Sequence, residues 1–240
     1  MGAITLTDVT LGYGAQIAVA GVSGIFAGGA TTVIVGPNGS GKSTLLKALA
    51  GAQPPQAGAI DRGELTRRRI AYLPQDPGVD RRFPINVADF VALGFERRLG
   101  LFGGMGAAER AELAAAIAAV GLDGLEQRPI DALSGGQFQR ALFARVIAED
   151  APLILLDEPF AAQDARTTAD LLRVIQRWRS ERRTLVIVLH DLALARTLGD
   201  ETLVMAREAV AWGPTDAVLT PGHLQRAHDV SERWLVEDAA

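Results

Sequence analysis

The 240-residue sequence contains no cysteine, which excludes disulfides and thiolate metal sites and suits a reducing compartment. Long hydrophobic runs are missing as well. The most apolar stretches, "APLILL" at 151–156 and "TLVIVL" at 184–189, fall far short of the roughly 20 residues a membrane span needs, so the chain is not expected to cross a bilayer by itself. There is no surplus of positive charge: 24 Lys and Arg stand against 28 Asp and Glu, a net charge of -4, and nucleic acid is therefore not the expected partner. The N-terminal "MGAITLTDVT" lacks a basic segment followed by an apolar stretch and a small-residue cleavage site, so the expected location is cytoplasmic. Leu6 stands where a myristoylation signal wants Ser or Thr. No repeat of fixed period is visible.

What is present is apolar text, 48% of the residues, enough for one sizeable core. Three short runs, "TTVIVG" at 31–36, "PLILLDE" at 152–158 and "TLVIVLH" at 184–190, carry Val, Ile and Leu without alternation, as strands buried on both faces of a parallel sheet do. Helical text separates them. One helix is expected from near Gly41, another from about Gly136 to Glu149, and a third within "DARTTADLLRVIQRWRSE", where Leu171, Leu172, Ile175 and Trp178 keep helical spacing. Alternating strands and helices predict an α/β fold around a parallel core sheet.

The first residues read differently. Ile4, Leu6 and Val9 alternate with polar residues, as in an edge or antiparallel strand, and predict a small antiparallel β lobe beside the main sheet. Between Pro84 and Pro129 the β-branched runs give way to Ala-rich amphipathic text, which predicts an inserted α-helical lobe at about 84–130 with "GLFGGMG" at 100–106 as a flexible connection. The expected organisation is a single domain over 1–240 that ends in a tail from about 221.

The motif G-x-x-x-x-G-K-[ST] is met by Gly36, Gly41, Lys42 and Ser43 within "GPNGSGKST", after a predicted strand and before a predicted helix. In a P-loop, backbone N–H groups converge on phosphate oxygens, the helix N-terminus adds partial positive charge, and the lysine reaches the β and γ phosphates. Ser43 would ligate Mg²⁺ and Thr44 would contact phosphate. The bland reading is a Gly-rich turn that merely starts a helix. Asp157 and Glu158 end the "LILLDEP" run, at the edge of a parallel sheet where ligands bind. There an acid can orient Mg²⁺ and its neighbour can act as general base toward a water; a solvated turn is the alternative.

With "LSGGQFQR" at 133–140, the chain resembles the ATP-binding subunits of ABC transporters, and the likeness covers it to about residue 220. The signature lies between the two Walker motifs and follows the helical insertion, as in that family. The other family elements come in order: an aromatic after the first strand (Tyr13), a glutamine loop (Gln75 in "YLPQD"), an aspartate after Walker B (Asp164 in "AAQD") and a switch histidine (His190 in "VLHD"). The fold so implied is the ABC-type P-loop NTPase.

The resemblance implies ATP hydrolysis with Mg²⁺, in a homodimer whose subunits pair head to tail. Each ATP would then lie between the Walker A residues of one chain, Gly36, Pro37, Asn38, Gly39, Ser40, Gly41, Lys42, Ser43 and Thr44, and the signature residues Ser134, Gly135, Gly136 and Gln137 of the other. Tyr13 would stack on adenine, Gln75 and Asp157 would join Ser43 around Mg²⁺, Glu158 would be the base, His190 would contact the γ-phosphate, and Asp164 would carry dimer communication. "AAQD" departs from the family's frequent Ser-Ala-Leu-Asp at Ala161 and Gln163 and keeps the aspartate in place. A lone cassette with these loops resembles the ATPase of a bacterial importer, which implies a membrane permease partner, an indirect periplasmic or surface solute-binding protein, and a position on the cytoplasmic face of the inner membrane. A soluble ABC machine acting on nucleic acid or ribosomes is the rival reading; a P-loop phosphotransferase would leave the signature unexplained.

For the cargo, "DRRFPINVADFVALG" after the glutamine loop, Phe138 and Phe143 around the signature, "VLHDLALAR" and "AREAVAWGPTDAVLT" resemble zinc and manganese importers, zinc first, with iron-siderophore importers as near relatives. His223 and His228, five apart with no cysteine or third histidine nearby, are not expected to bind metal. The tail "DVSERWLVEDAA" predicts a short amphipathic helix docking Trp234 and Leu235 on the body or on the second subunit.

Overall fold

A computed structural model describes residues 2–100, 103–161 and 163–237, the last three by their backbone alone. The expected connection at 100–106 therefore lies partly outside the described residues, as does the predicted docking of the Leu235 side chain.

Two sheets form the molecule. The first is antiparallel, with β1 (Ile4–Tyr13) between β2 (Gln16–Phe26) and β4 (Ala57–Asp61). The alternation of Ile4 and Leu6 thus belongs to the central strand of this sheet, not to an edge, because β4 arrives from beyond the phosphate loop to pair with it. The second sheet holds six strands in the order β5, β6, β7, β3, β8, β9. Its members are β3 (Thr31–Val35), β5 (Ile70–Leu73), β6 (Leu153–Asp157), β7 (Thr184–Val188), β8 (Glu201–Ala206) and β9 (Glu208–Pro214). All are parallel except β9, which turns back antiparallel on β8.

The non-alternating runs are explained by two cores. In β3, Ile34 faces the antiparallel sheet with Leu45, Leu46 and Leu49 of α1 (Lys42–Leu49), while Val33 and Val35 face a helical layer. The same split places Leu153 and Leu155 on one side of β6 and Ile154 and Leu156 on the other. Both faces are dry, so apolar residues fill both sides of these strands, with buried polar residues only at their ends: Thr31 and Thr32 in β3, Thr184 in β7 and Asp157 in β6.

The helical layer contains α2 (Val87–Ala92), α3 (Glu96–Leu99), α4 (Ala107–Ala119), α5 (Gly135–Glu149), α6 (Ala165–Ser180), α7 (Leu192–Leu198), α8 (Thr215–Val218) and α9 (Pro221–Glu237). Helix α6 buries Leu171, Val174, Ile175 and Trp178 on one stripe, and the ring of Trp178 stacks on Phe143 of α5, centroids 5.9 Å apart. Phe138, on the same helix, packs on Phe90 of α2 at 5.8 Å. The two phenylalanines therefore serve the packing of the signature helix. Among the described residues no helix is long and apolar enough to cross a membrane.

Candidate functional site: a phosphate cradle and its loops

The loop at 36–41 runs from the end of β3 to the start of α1, and two of its glycines allow close approach. A Cβ on Gly36 would stand 2.0 Å from Met205 O, and one on Gly41, whose φ is +89°, would stand 2.2 Å from Ala18 O. The loop is thus pressed between β2 and β8, with its N–H groups at a helix N-terminus, where backbone dipoles favour an anion. Lys42 is 5% exposed, and its Nζ donates to Gly36 O at 2.9 Å and Pro37 O at 2.7 Å. Burial lowers its pKa, more than the nearby Glu158 and Asp157 carboxylates raise it.

Beside the loop, a cavity of about 350 Å³ is lined by residues 38–44 together with Ala18, Gln75, Glu158 and His190. Residues far apart in sequence thus meet around one space. Glu158 is the centre of the meeting: Oε2 accepts a hydrogen bond from Gln75 Nε2 at 2.8 Å, and Oε1 lies 2.5 Å from His190 Nε2. The backbone at Glu158 takes φ +50°, a conformation that costs a non-glycine residue about 1–2 kcal/mol. It is held there by Glu158 N–H donating to Val188 O and by its own carbonyl accepting from Ala161 N–H. Such strain persists only where surrounding bonds over-determine it.

Asp157, the last residue of β6, is 2% exposed. Burial pushes its carboxyl above the usual range; the Ser43 hydroxyl, hydrogen-bonded to it, pulls the other way and is outweighed. Its Oδ1 is buried with no hydrogen-bonding partner among the described residues. A buried carboxylate oxygen without a donor, beside a hydroxyl, is the chemistry of a hard divalent cation site. The residues present therefore fit Mg²⁺.

The signature lies elsewhere. Ser134 caps α5 in a reciprocal box: its Oγ accepts from Gln137 N–H at 3.2 Å, and Gln137 Oε1 accepts from Ser134 N–H at 3.0 Å. Gly135 and Gly136 open the helix, where first-turn N–H groups have no partner within the helix itself. A Cβ on Gly136 would stand 2.8 Å from Thr167 Oγ1 and 3.5 Å from Asp164 Oδ2. Asp164 caps α6, with Oδ1 accepting from Thr167 N–H at 2.8 Å, so the signature and the aspartate loop form one surface. None of the residues 134–137 lines the cavity that holds Lys42 and Glu158. Ala162 of the "AAQD" stretch lies outside the described residues.

Tyr13 ends β1 and is 55% exposed, clear of the cavity lining. His223 Nδ1 lies 2.7 Å from Val218 O, and His228 is 3.8 Å from Glu232 one turn on. Two participants were not legible in the sequence. Ala18 carries only a backbone carbonyl to the loop. Arg207 acts through its backbone, its N–H donating to Ser40 O at 2.9 Å.

Residues 19–161, more than half of the chain, match the sequence profile of the ABC transporter family. A manganese transport system ATP-binding protein, MntB of Listeria monocytogenes, is 38% identical over 227 residues, 93% of this chain and 95% of that protein. A zinc transport system ATP-binding protein, TroB of Treponema pallidum, is 36% identical over 230 residues, 94% and 86% respectively. Among solved structures, one described as a metal-chelate type ABC transporter in an inward-facing conformation superposes with a TM-score of 0.83 at 26% identity, covering 95% of this chain and 90% of that one. With its P-loop, its acid pair and its intervening signature, the chain belongs to the ABC transporter family, as an ATPase whose hydrolysis is coupled to transport.

Proposed function

We propose that the chain powers uptake of a divalent metal ion, zinc or manganese, by closing and reopening as a homodimer under a membrane permease at the cytoplasmic face of the cell membrane. The observation that carries the dimer is the separation of the cradle from the signature surface. A triphosphate in the cavity beside Lys42 meets no signature residue of its own chain, and a second chain turned head to tail supplies Ser134, Gly135, Gly136 and Gln137. The metal reading is supported by relatives whose names specify manganese and zinc.

In this reading the N–H groups of residues 36–44 and the Lys42 ammonium hold the phosphates, and the exposed ring of Tyr13 stacks on adenine. Ser43, Asp157 and Gln75 hold Mg²⁺, which when bound neutralises charge on the phosphate oxygens. Glu158 accepts a proton from water as the water oxygen bonds to the γ-phosphorus and the bond to ADP breaks; Gln75 and His190 fix the direction of its two oxygens. His190 contacts the γ-phosphate, and Asp164, packed by the signature, reports its state to the partner subunit. A solute-binding protein delivers the ion to the permease and does not touch this chain.

Elemental mass spectrometry of cells lacking the chain, rescued with wild type or Glu158→Gln, tests the cargo. The expected result is loss of zinc or manganese on deletion and recovery with wild type alone. Unchanged levels of both metals would remove the metal reading, and a fall in iron alone would move the chain to siderophore uptake.

A further inference from the structure

Helix α9 presents Leu224, Ala227, Val230 and Trp234 along one stripe to the body, against the strand ends that support the phosphate loop. At its far end the Trp234 ring carries the Arg207 guanidinium, 5.2 Å from Cζ to the ring centroid. Arg207 occupies the turn between β8 and β9 with φ +60° and is 9% exposed. Its backbone links three elements: the N–H donates to Ser40 O at 2.9 Å, and the carbonyl accepts from Ala20 N–H of β2 at 2.8 Å. At its near end, Leu224, Ala227 and His228 of α9 close a cavity of about 220 Å³ whose other walls include Gly36, Pro37 and His190.

We infer that α9 braces the phosphate loop from behind, and that Trp234 and Arg207 are positioning residues for nucleotide binding. The ring holds the guanidinium, the guanidinium fixes the turn, and the turn's N–H holds the Ser40 carbonyl, orienting the loop amides that follow. A loop fixed beforehand loses less conformational entropy when phosphate arrives, so the brace acts on affinity and not on the chemical step. The inference rests on the reading that residues 36–44 hold ATP.

Four single variants of the full chain and the double variant Trp234→Ala with Arg207→Gly test it; the singles are Trp234→Ala, Trp234→Phe, Arg207→Gly and, as a control on the exposed side of α9, Arg226→Ala. Arg207→Gly removes the side chain while glycine keeps the left-handed turn and its two backbone bonds. The readouts are Kd for MgATP by titration calorimetry, KM against kcat, and hydrogen exchange at the amides of 36–41. Trp234→Ala and Arg207→Gly are expected to weaken MgATP by a similar factor, about three- to tenfold for a cation–π contact of this kind. KM should rise with little change in kcat, exchange should be faster at 36–41 alone, and the double variant should be no worse than either. Trp234→Phe should recover most of the affinity, and Arg226→Ala should match wild type. Equal Kd and equal loop exchange in folded Arg207→Gly and Trp234→Ala would overturn the brace. Should Trp234→Ala fail to fold, Arg207→Gly decides alone. Failure of the wild type to bind MgATP would instead remove the nucleotide reading on which the brace depends.

Discussion

Glu158 and His190, thirty-two residues apart, touch with Oε1 and Nε2 separated by 2.5 Å. The contact joins the ends of β6 and β7, two adjacent parallel strands, and Gln75 beyond β5 completes it from the other side. Three neighbouring strands thus end in side chains that converge on one carboxylate, as expected of a site at the C-terminal edge of a parallel sheet.

Asp157→Asn is expected to raise Tm in Mg²⁺-free buffer at neutral pH. The folded pKa of Asp157 lies above the ordinary value of about 3.9, so its ionised form opposes folding at pH above the folded pKa. That cost fades as pH falls through the folded value and is gone below the unfolded one. The advantage of asparagine should therefore shrink on acidification and reverse with Mg²⁺ and ATP, which stabilise only the wild type. A calorimetric series across pH checks both signs; a lower Tm for the variant at neutral pH without Mg²⁺ would contradict the account of Asp157.

Gly135→Ala and Gly136→Ala should part company in thermal stability. Each gains about 1 kcal/mol in helix propensity. At Gly135 the new methyl meets open space, while at Gly136 it meets Thr167 Oγ1 at 2.8 Å, an overpacking that costs roughly 1–3 kcal/mol. Denaturant titration should show the first variant as stable as wild type or more so, and the second less stable, with both binding MgATP through an unaltered cradle. Equal stability would mean that α6 yields freely.

Arg81→Ala should destabilise the chain by about 1–3 kcal/mol. Its guanidinium donates to Ile130 O at 3.2 Å and to Leu133 O, and lies 4.8 Å from the Phe138 ring centroid. It thus ties the segment after the glutamine loop to the residues just before Ser134. Urea midpoints would measure the loss, and Arg81→Lys, which keeps a cation but not the forked donors, should recover only part of it. No change on substitution by alanine would show the tie to be dispensable.

Much of this was legible beforehand because it depends on local chemistry. The unbroken runs in β3, β6 and β7 announce strands dry on both faces, and residues 36–44 announce an anion cradle by glycine spacing alone. The helix expected from about Gly136 is there, beginning at Gly135, while the capping roles of Ser134 and Asp164 emerge only with the fold. What escaped depends on distant pairing. β5 has only four residues, β8 and β9 reach their partners only through tertiary register, and β1 becomes a central strand because β4 returns to it from Ala57. Gly58, whose Cβ would stand 2.1 Å from Asp8 O, allows that return, yet no local pattern marks it. Arg207 contributes a backbone N–H to the cradle, and its guanidinium meets Trp234 only through the tertiary fold, so no local pattern marks it.

In the proposed mechanism one nucleotide needs two chains. The most direct measurement is the solution mass of Glu158→Gln by light scattering with ATP, with ADP and without nucleotide. The amide cannot take the proton from water yet preserves the packing at that position, so hydrolysis should stop while binding persists. A dimer is expected with ATP only, dispersed by exchange into ADP. A Glu158→Gln chain that binds ATP and stays monomeric, while the wild type dimerises, would contradict the role given to Glu158; binding of ATP by both with neither forming a dimer would contradict the shared site.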